Sequence, residues 1–202
     1  MNLEEEYNSI KTPEELLEFM NQYIHYGIFG TDHKEYTEWN EDSNSSFQEA
    51  CRKYFTLCDK NRILKHGLGI CWDQVELERT WFEENHYKTK TFFIWFYYPN
   101  EDNSFITHTY LVYQDHNKYY YFEHSDEKNK GIYSFNTLKD AIKYQMEKHI
   151  SFHKDLGYSI TEEELNHIEI REFERPNYPC DNEAYMNHIL ESNIIYTYKD
   201  LK

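Results

Sequence analysis

No stretch of this chain approaches the ~20 consecutive apolar residues that a membrane-spanning helix needs. The opening run Met1-Asn2-Leu3-Glu4-Glu5-Glu6 has neither the basic nor the apolar region of a signal peptide, so a cytoplasmic location is expected. Positive charge is scarce: 21 Lys and Arg stand against 37 Asp and Glu, a net charge of −16. A nucleic-acid binder must neutralise phosphates, so no nucleic-acid partner is expected. An anionic membrane surface is disfavoured for the same reason. Cysteine is sparse, at positions 51, 58, 71 and 180, and no CxxC occurs. A structural zinc site and a secreted-type disulfide framework are therefore not expected. Cys51 and Cys58 fall in one expected helix, ~10 Å apart at the helical rise, too far to bridge. Repeats, low-complexity segments and linkers are also missing, so the 202 residues are expected to form a single domain, 1–202.

Apolar residues make up only 39% of the chain, but 18% are aromatic, with 20 Tyr and 13 Phe. Aromatic rings bury much area per residue, so a core is feasible. Thr12-Pro13-Glu14-Glu15 reads as a helix start: a capping threonine, proline in the first turn and glutamate at the capping-box position. Leu16, Leu17, Met20 and Ile24 share one face of that helix, and Gly27 and Gly30 end the segment. Residues 31–45 read as loop, 46–58 as a helix with Phe47, Ala50, Cys51, Tyr54 and Phe55 or Cys58 inward, and 59–70 as a loop bearing Gly67 and Gly69. A helix is predicted over about 71–85.

The periodicity then changes to that of strands. Thr91 to Tyr98 is aromatic and β-branched, stopped by Pro99-Asn100. Strands follow at 106–114 and 118–124, joined by Asp115-His116-Asn117, and at 131–135. A helix at about 138–153, a half-exposed strand at 168–173 and a helix near 181–191 complete the reading, with Glu162-Glu163-Glu164 as the first turn of a helix after Thr161. Helices followed by an antiparallel sheet make an α+β fold. The cluster Trp95, Phe96, Tyr97 and Tyr98 reads as core and sheet surface rather than a ligand cage.

Three motifs carry chemistry. Gly69-Ile70-Cys71-Trp72 puts a cysteine at the junction of a glycine-bearing loop and a helix. Thr107-His108-Thr109-Tyr110-Leu111-Val112 puts a histidine at the head of a strand. Phe122-Glu123-His124-Ser125 ends the next strand with a carboxylate. Cysteine, histidine and acid are the nucleophile, its base and the group that orients the base. A thiol becomes a good nucleophile when a helix N-terminus and a neighbouring cation stabilise the thiolate; the helix start and His108 would supply both. Any one of these residues alone reads as structural, since an isolated cysteine is mostly a small buried hydrophobe. His124, His86 and His66 are rival bases, and Asp126 and Asp115 rival acids. Tyr119, Tyr121 and Glu123 share one strand face, opposite Tyr120 and Phe122. For the oxyanion, the Cys71 N–H is one donor, with Tyr26 or Gln48 as side-chain candidates, and Trp72, beside the nucleophile, is expected to line the substrate position. Asp73, Glu76 and His108 do not have the spacing of a zinc motif, and the chemistry calls for no cofactor or metal.

In order and context these motifs resemble the transglutaminase-like branch of the papain-like cysteine enzymes, over about residues 60–126. In that family the cysteine opens a helix after Gly-x-Cys, often followed by tryptophan. The histidine begins a strand, and an acid, usually aspartate, ends the next. Here glutamate stands at the acid position. His86-Tyr87-Lys88-Thr89-Lys90 stands where the family commonly has Gly-Ile-Pro-Ala-Arg. The resemblance implies the cysteine helix packed on an antiparallel sheet, a Cys71-His108-Glu123 triad, and acyl transfer from a peptide, amide or ester. Water as acceptor makes the protein a protease- or amidase-like hydrolase, the outcome the resemblance implies, and an amine would make it a transglutaminase. A fold kept for binding or structure without turnover is the alternative from another class.

Overall fold

The computed structural model describes residues 3–37, 44–97, 105–155, 157 and 159–202. Tyr98, the expected strand stop Pro99-Asn100 and part of the expected loop 31–45 lie outside the described residues.

The N-terminal half is helical. The acidic start is the first turn of α1 (Leu3–Ser9), where carboxylates favour the positive end of the helix dipole. Helix α2 (Pro13–Tyr23) begins as its sequence prescribes, with the Thr12 side chain accepting from the Glu15 N–H and the Glu15 carboxylate accepting from the Thr12 N–H. Strands β1 (Ile28–Phe29) and β2 (Glu35–Tyr36) form a short hairpin partly within the expected loop. Helix α3 (Asn44–Tyr54) ends before Cys58, which the sequence reading had placed inside it. The chain instead enters β3 (Thr56–Leu57), which pairs with the distant β9 (Cys180–Asp181). Local periodicity cannot register so remote a partner. The expected loop at 59–70 contains α4 (Lys60–His66), capped by the Asp59 side chain and closed by Gly67 at φ 66°. Helix α5 (Cys71–Glu84) follows.

Among the described residues, the largest sheet has six antiparallel strands in the order β10-β8-β4-β5-β6-β7. Its members are β4 (Lys88–Tyr97), β5 (Phe105–Asp115), β6 (Lys118–Glu123), β7 (Gly131–Phe135), β8 (Ile168–Phe173) and β10 (Asn193–Thr197). The turn between β5 and β6 has positive φ at His116 and Asn117, the backbone of a tight hairpin that matches strand twist. Helix α6 (Leu138–Asp155) follows β7, α7 (Glu162–Leu165) precedes β8, and α8 (Asn182–Glu191) precedes β10. Helix α9 (Tyr198–Leu201) closes the chain; neither it nor β10 was expected from the sequence.

Both faces of the sheet are apolar because both are covered. Phe92, Ile94, Tyr110, Val112 and Tyr121 pack with Ala141, Ile142 and Met146 of α6. Leu111, Tyr113 and Phe122, of opposite parity, pack with Leu77, Trp81 and Phe82 of α5 and with Tyr7, Leu16 and Met20 of α1 and α2. Each such side chain contributes roughly 1.5–3 kcal/mol when fully buried. A third cluster gathers Cys71 and Trp72 with Ile28, Phe47, Phe93, Phe173 and Tyr185 at the start of α5. The architecture is α+β with antiparallel sheets. Among the described residues no helix is long and apolar enough to cross a membrane.

Candidate active site

Cys71 is the first residue of α5. The helix starts there because Asp73 accepts the Ile70 N–H at 3.1 Å, reaching back across the first turn. Gly69 lets the chain enter the helix closely: a Cβ at that position would lie 3.0 Å from the Asp73 Cβ and 3.4 Å from the Gln74 Cγ. The loop before Cys71 is tied to the segment after α2. His25 N–H donates to the Gly67 carbonyl at 2.8 Å, and Gly69 N–H donates to the His25 carbonyl at 3.1 Å. That pairing sets the next residue, Tyr26, against Cys71, with its hydroxyl hydrogen-bonded to the Cys71 side chain and backbone. Burial first, then the cysteines beside it, hold the Tyr26 hydroxyl well above its ordinary pKa, so it stays protonated.

His108 lies on β5 opposite Ile94 of β4. The paired stretch of β5 and β6 ends at Leu111 and Phe122, so Glu123, the last residue of β6, extends past the ladder toward the histidine. The His108 Nε2 lies 2.8 Å from the Glu123 Oε2. Cys71 is the other neighbour that acts on His108, raising its proton affinity through its side chain and its charge.

The electrostatics follow from these contacts. Burial works against charge on His108, but the Glu123 carboxylate, the Cys71 side chain and the Glu123 hydrogen bond prevail and raise its proton affinity well above that of an ordinary histidine. Burial likewise opposes ionisation of Glu123. The His108 charge, hydrogen bonds from His108 and the Tyr121 hydroxyl, and the Asp126 N–H at 2.8 Å outweigh it and bring the carboxyl down to about 2. The Ser125 hydroxyl adds a further hydrogen bond at 3.1 Å. At neutral pH the pair is imidazolium and carboxylate. Two other acids near the helix start behave oppositely. Burial pushes Asp73 up to about 8. Glu78, buried one residue stripe along α5 from Cys71, is held well above the usual carboxyl range by burial and then by the Glu123 charge. Environments that push titratable groups apart are a mark of functional sites.

Cys71, His108 and Glu123 are thus brought together, with Tyr26 beside the sulfur. Trp72 is placed otherwise. It was expected to line the substrate position, but its indole stacks on Tyr185 at 4.0 Å and meets Phe55 edge-on at 5.4 Å. Successive helical residues point about 100° apart, so Trp72 turns into the core when Cys71 turns toward the sheet. Gln48 is exposed on α3. Of the rival bases, His66 stacks on Phe29 at 3.7 Å, and His124 bonds Gln74. Of the rival acids, Asp115 pairs with His116 at the hairpin turn, and Asp126 contributes its backbone N–H to Glu123. The sequence reading did not single out Tyr121 as a support for Glu123, although their shared strand face carried the signal. It also passed over Gln74, whose position one helical turn after Cys71 was the available clue.

Two of the other cysteines are held protonated by their surroundings. Burial, Asp73 and Cys71 push the Cys51 thiol up to about 12, and burial and Asp181 push Cys180 up to about 11. All four cysteines are free. Among the described residues no group of three or more His, Cys, Asp or Glu could hold a metal ion. Asp73 is engaged by Ile70, and Glu76 by Arg79 and the Tyr178 hydroxyl. The arrangement can hold a proton on His108 between a thiol and a fixed carboxylate, with O–H and N–H donors beside the sulfur. No protein-family model matches the chain, and no curated protein matches it.

Proposed function

We propose that this protein is a cysteine-dependent acyl-transfer enzyme of the papain-like, transglutaminase-like kind, cleaving an amide or ester bond by hydrolysis. One observation carries the reading: the His108 Nε2 lies 2.8 Å from the Glu123 Oε2, and Cys71 is among the neighbours that raise the His108 proton affinity. In this mechanism the Cys71 thiolate attacks the substrate carbonyl carbon. The C–S bond forms as the carbonyl π electrons move to oxygen. The Cys71 N–H and the Tyr26 hydroxyl stabilise that oxyanion. His108 gives its proton to the leaving amine or alcohol as the C–N or C–O bond breaks, leaving a thioester on Cys71. His108, now neutral, takes a proton from water, whose oxygen attacks the thioester. Collapse releases the acid and returns the sulfur. Glu123 holds the ring in position and stabilises its charged state.

A second reading has an observation in its favour. Cys71 is 7% exposed and Glu123 2%, so a substrate has little open access to the sulfur, as suits a fold kept for binding or structure. One experiment separates the two. The protein is incubated with activated esters and a peptide-amide library and followed by intact mass. The enzyme reading expects an acyl adduct on Cys71 that hydroxylamine releases, absent in Cys71→Ala. Turnover to free acid marks hydrolysis, and transfer to an added amine marks the transglutaminase alternative. No adduct across the panel favours the non-catalytic reading.

A further inference from the structure

Two buried polar residues take no part in that mechanism. Gln74 and His124 are 1% and 2% exposed. The Gln74 amide nitrogen donates to the Gly69 carbonyl at 2.8 Å, and its amide oxygen lies 2.7 Å from the His124 Nδ1. Because the nitrogen of this amide is the donor to Gly69, its oxygen accepts, and the proton sits on the His124 Nδ1. Burial, then the Lys130 charge, lowers His124 to about 4, so the ring is neutral near pH 7. Both ends of the Gln74 amide are therefore satisfied inside an apolar region.

The placement of the link matters. Gly69 stands two residues before Cys71, and Gln74 lies on the same first turns of α5. His124 directly follows Glu123, the last residue of β6, and its ring reaches Gln74 on α5. One amide thus ties the loop that presents the nucleophile to the strand end that presents the acid, by a route that does not pass through His108. A buried amide and imidazole are an expensive means of filling space, since apolar groups of the same shape do so at little or no loss of stability.

We propose that Gln74 and His124 are positioning residues that fix the distance between the Cys71 loop and the Glu123 strand end, and so the register of the proposed triad; the inference rests on the acyl-transfer reading above. Misplacing a reacting group by about 1 Å costs on the order of 10²-fold in rate. A link of this kind therefore shows in the chemistry of Cys71 as well as in stability.

The test measures the rate of Cys71 alkylation by chloroacetamide between about pH 5 and pH 9, where an ordinary thiol (pKa about 8.5) goes from protonated to ionised. Thermal denaturation is run in parallel. Gln74→Leu removes both hydrogen bonds at similar volume. Gln74→Glu keeps an acceptor for His124 and loses the donor to Gly69. His124→Asn keeps a donor to Gln74, its amide nitrogen taking the place of Nδ1. Near pH 6, Gln74→Leu and Gln74→Glu are expected to slow labelling about ten- to a hundredfold, with rates converging on wild type near pH 9, while His124→Asn stays within about threefold. A lowered melting temperature with an unchanged pH profile of labelling means a merely structural link and overturns the proposal. Should Gln74→Leu fail to fold, Gln74→Glu gives the same readout. Slow wild-type labelling that ignores His108→Ala refutes the triad itself and takes this inference with it. Fast, His108-dependent wild-type labelling that is insensitive to both Gln74 variants refutes this inference alone.

Discussion

Replacing Glu123 with glutamine keeps the side chain's length and removes its charge, which isolates what the carboxylate does for His108. The fall of Glu123 from 4.5 to about 2 corresponds to roughly 3 kcal/mol at about 1.4 kcal/mol per pH unit. The His108 charge leads the causes that lower it, with the His108 and Tyr121 hydrogen bonds and the Asp126 N–H contributing the rest. The Glu123 charge is in turn the largest of the contacts that raise the His108 proton affinity, so the His108 protonation point is expected to fall in Glu123→Gln. The roughly 3 kcal/mol that stabilises the carboxylate predicts a loss of up to about a hundredfold in the rate of acyl transfer. The assay is a ¹⁵N-detected imidazole titration, with the His108 signals assigned from a His108→Gln variant. In the wild type both ring nitrogens of His108 should carry protons at neutral pH. In the variant the ring should become neutral at lower pH. If His108 titrates identically in the two proteins, Glu123 does not hold the imidazolium and the triad reading is wrong at its acid.

The same pair predicts a pH window for stability. Glu123 has a lowered folded value, so its contribution is present above about pH 4.5 and is lost as pH falls toward about 2. His108 has a raised one, so its contribution is complete below about pH 6.5 and is lost as pH rises through the folded value. The melting-temperature gap between wild type and Glu123→Gln should therefore be widest between about pH 4.5 and pH 6.5, and a flat gap contradicts the pairing. Asp73 works the other way. Its carboxyl is held neutral up to about 8, so between about pH 4 and pH 8 ionisation of the unfolded chain erodes stability. Asp73→Asn, which can still accept the Ile70 N–H, should gain stability over wild type as pH rises across that range; a gain confined to acid pH refutes the assignment. Trp72→Ala should cost about 3–5 kcal/mol in chemical denaturation, as a large core truncation does. A loss under about 1 kcal/mol would show that Trp72 is not packed as described.

The elements with their own local signals were legible. Thr12 and Glu15 write a capping box that the structure forms. Phe92, Phe93 and Ile94 lie on both faces of a sheet covered on both sides, so their strand reads as a continuous apolar run. The candidate triad residues were singled out by order and context. Glu123 was marked further by sharing a strand face with Tyr121, which then proves to hydrogen-bond it. The parts that escaped depend on partners far away in sequence. Strand β3 exists because Leu57 meets Cys180. Cys58 left its expected helix for the same reason. Helix α4 has only seven residues and one apolar pair, Ile63 and Leu64, so its caps at Asp59 and Gly67 say more than its periodicity. Trp72 was misjudged because adjacency in sequence is not adjacency on a helix. Tyr26 reaches Cys71 only through the pairing of His25 with Gly67 and Gly69, which no sequence pattern announces.

The central claim is that His108 activates Cys71, and competitive alkylation tests it most directly. The folded protein is treated with limiting iodoacetamide near pH 6, where an ordinary thiol (pKa about 8.5) is mostly protonated, and the four cysteines are quantified by peptide mass spectrometry. The account predicts that Cys71 is modified at least about tenfold faster than Cys51, Cys58 or Cys180, and that His108→Ala removes the advantage while the fold persists by circular dichroism. Equal, slow modification of all four cysteines, or a fast Cys71 indifferent to His108→Ala, would contradict it.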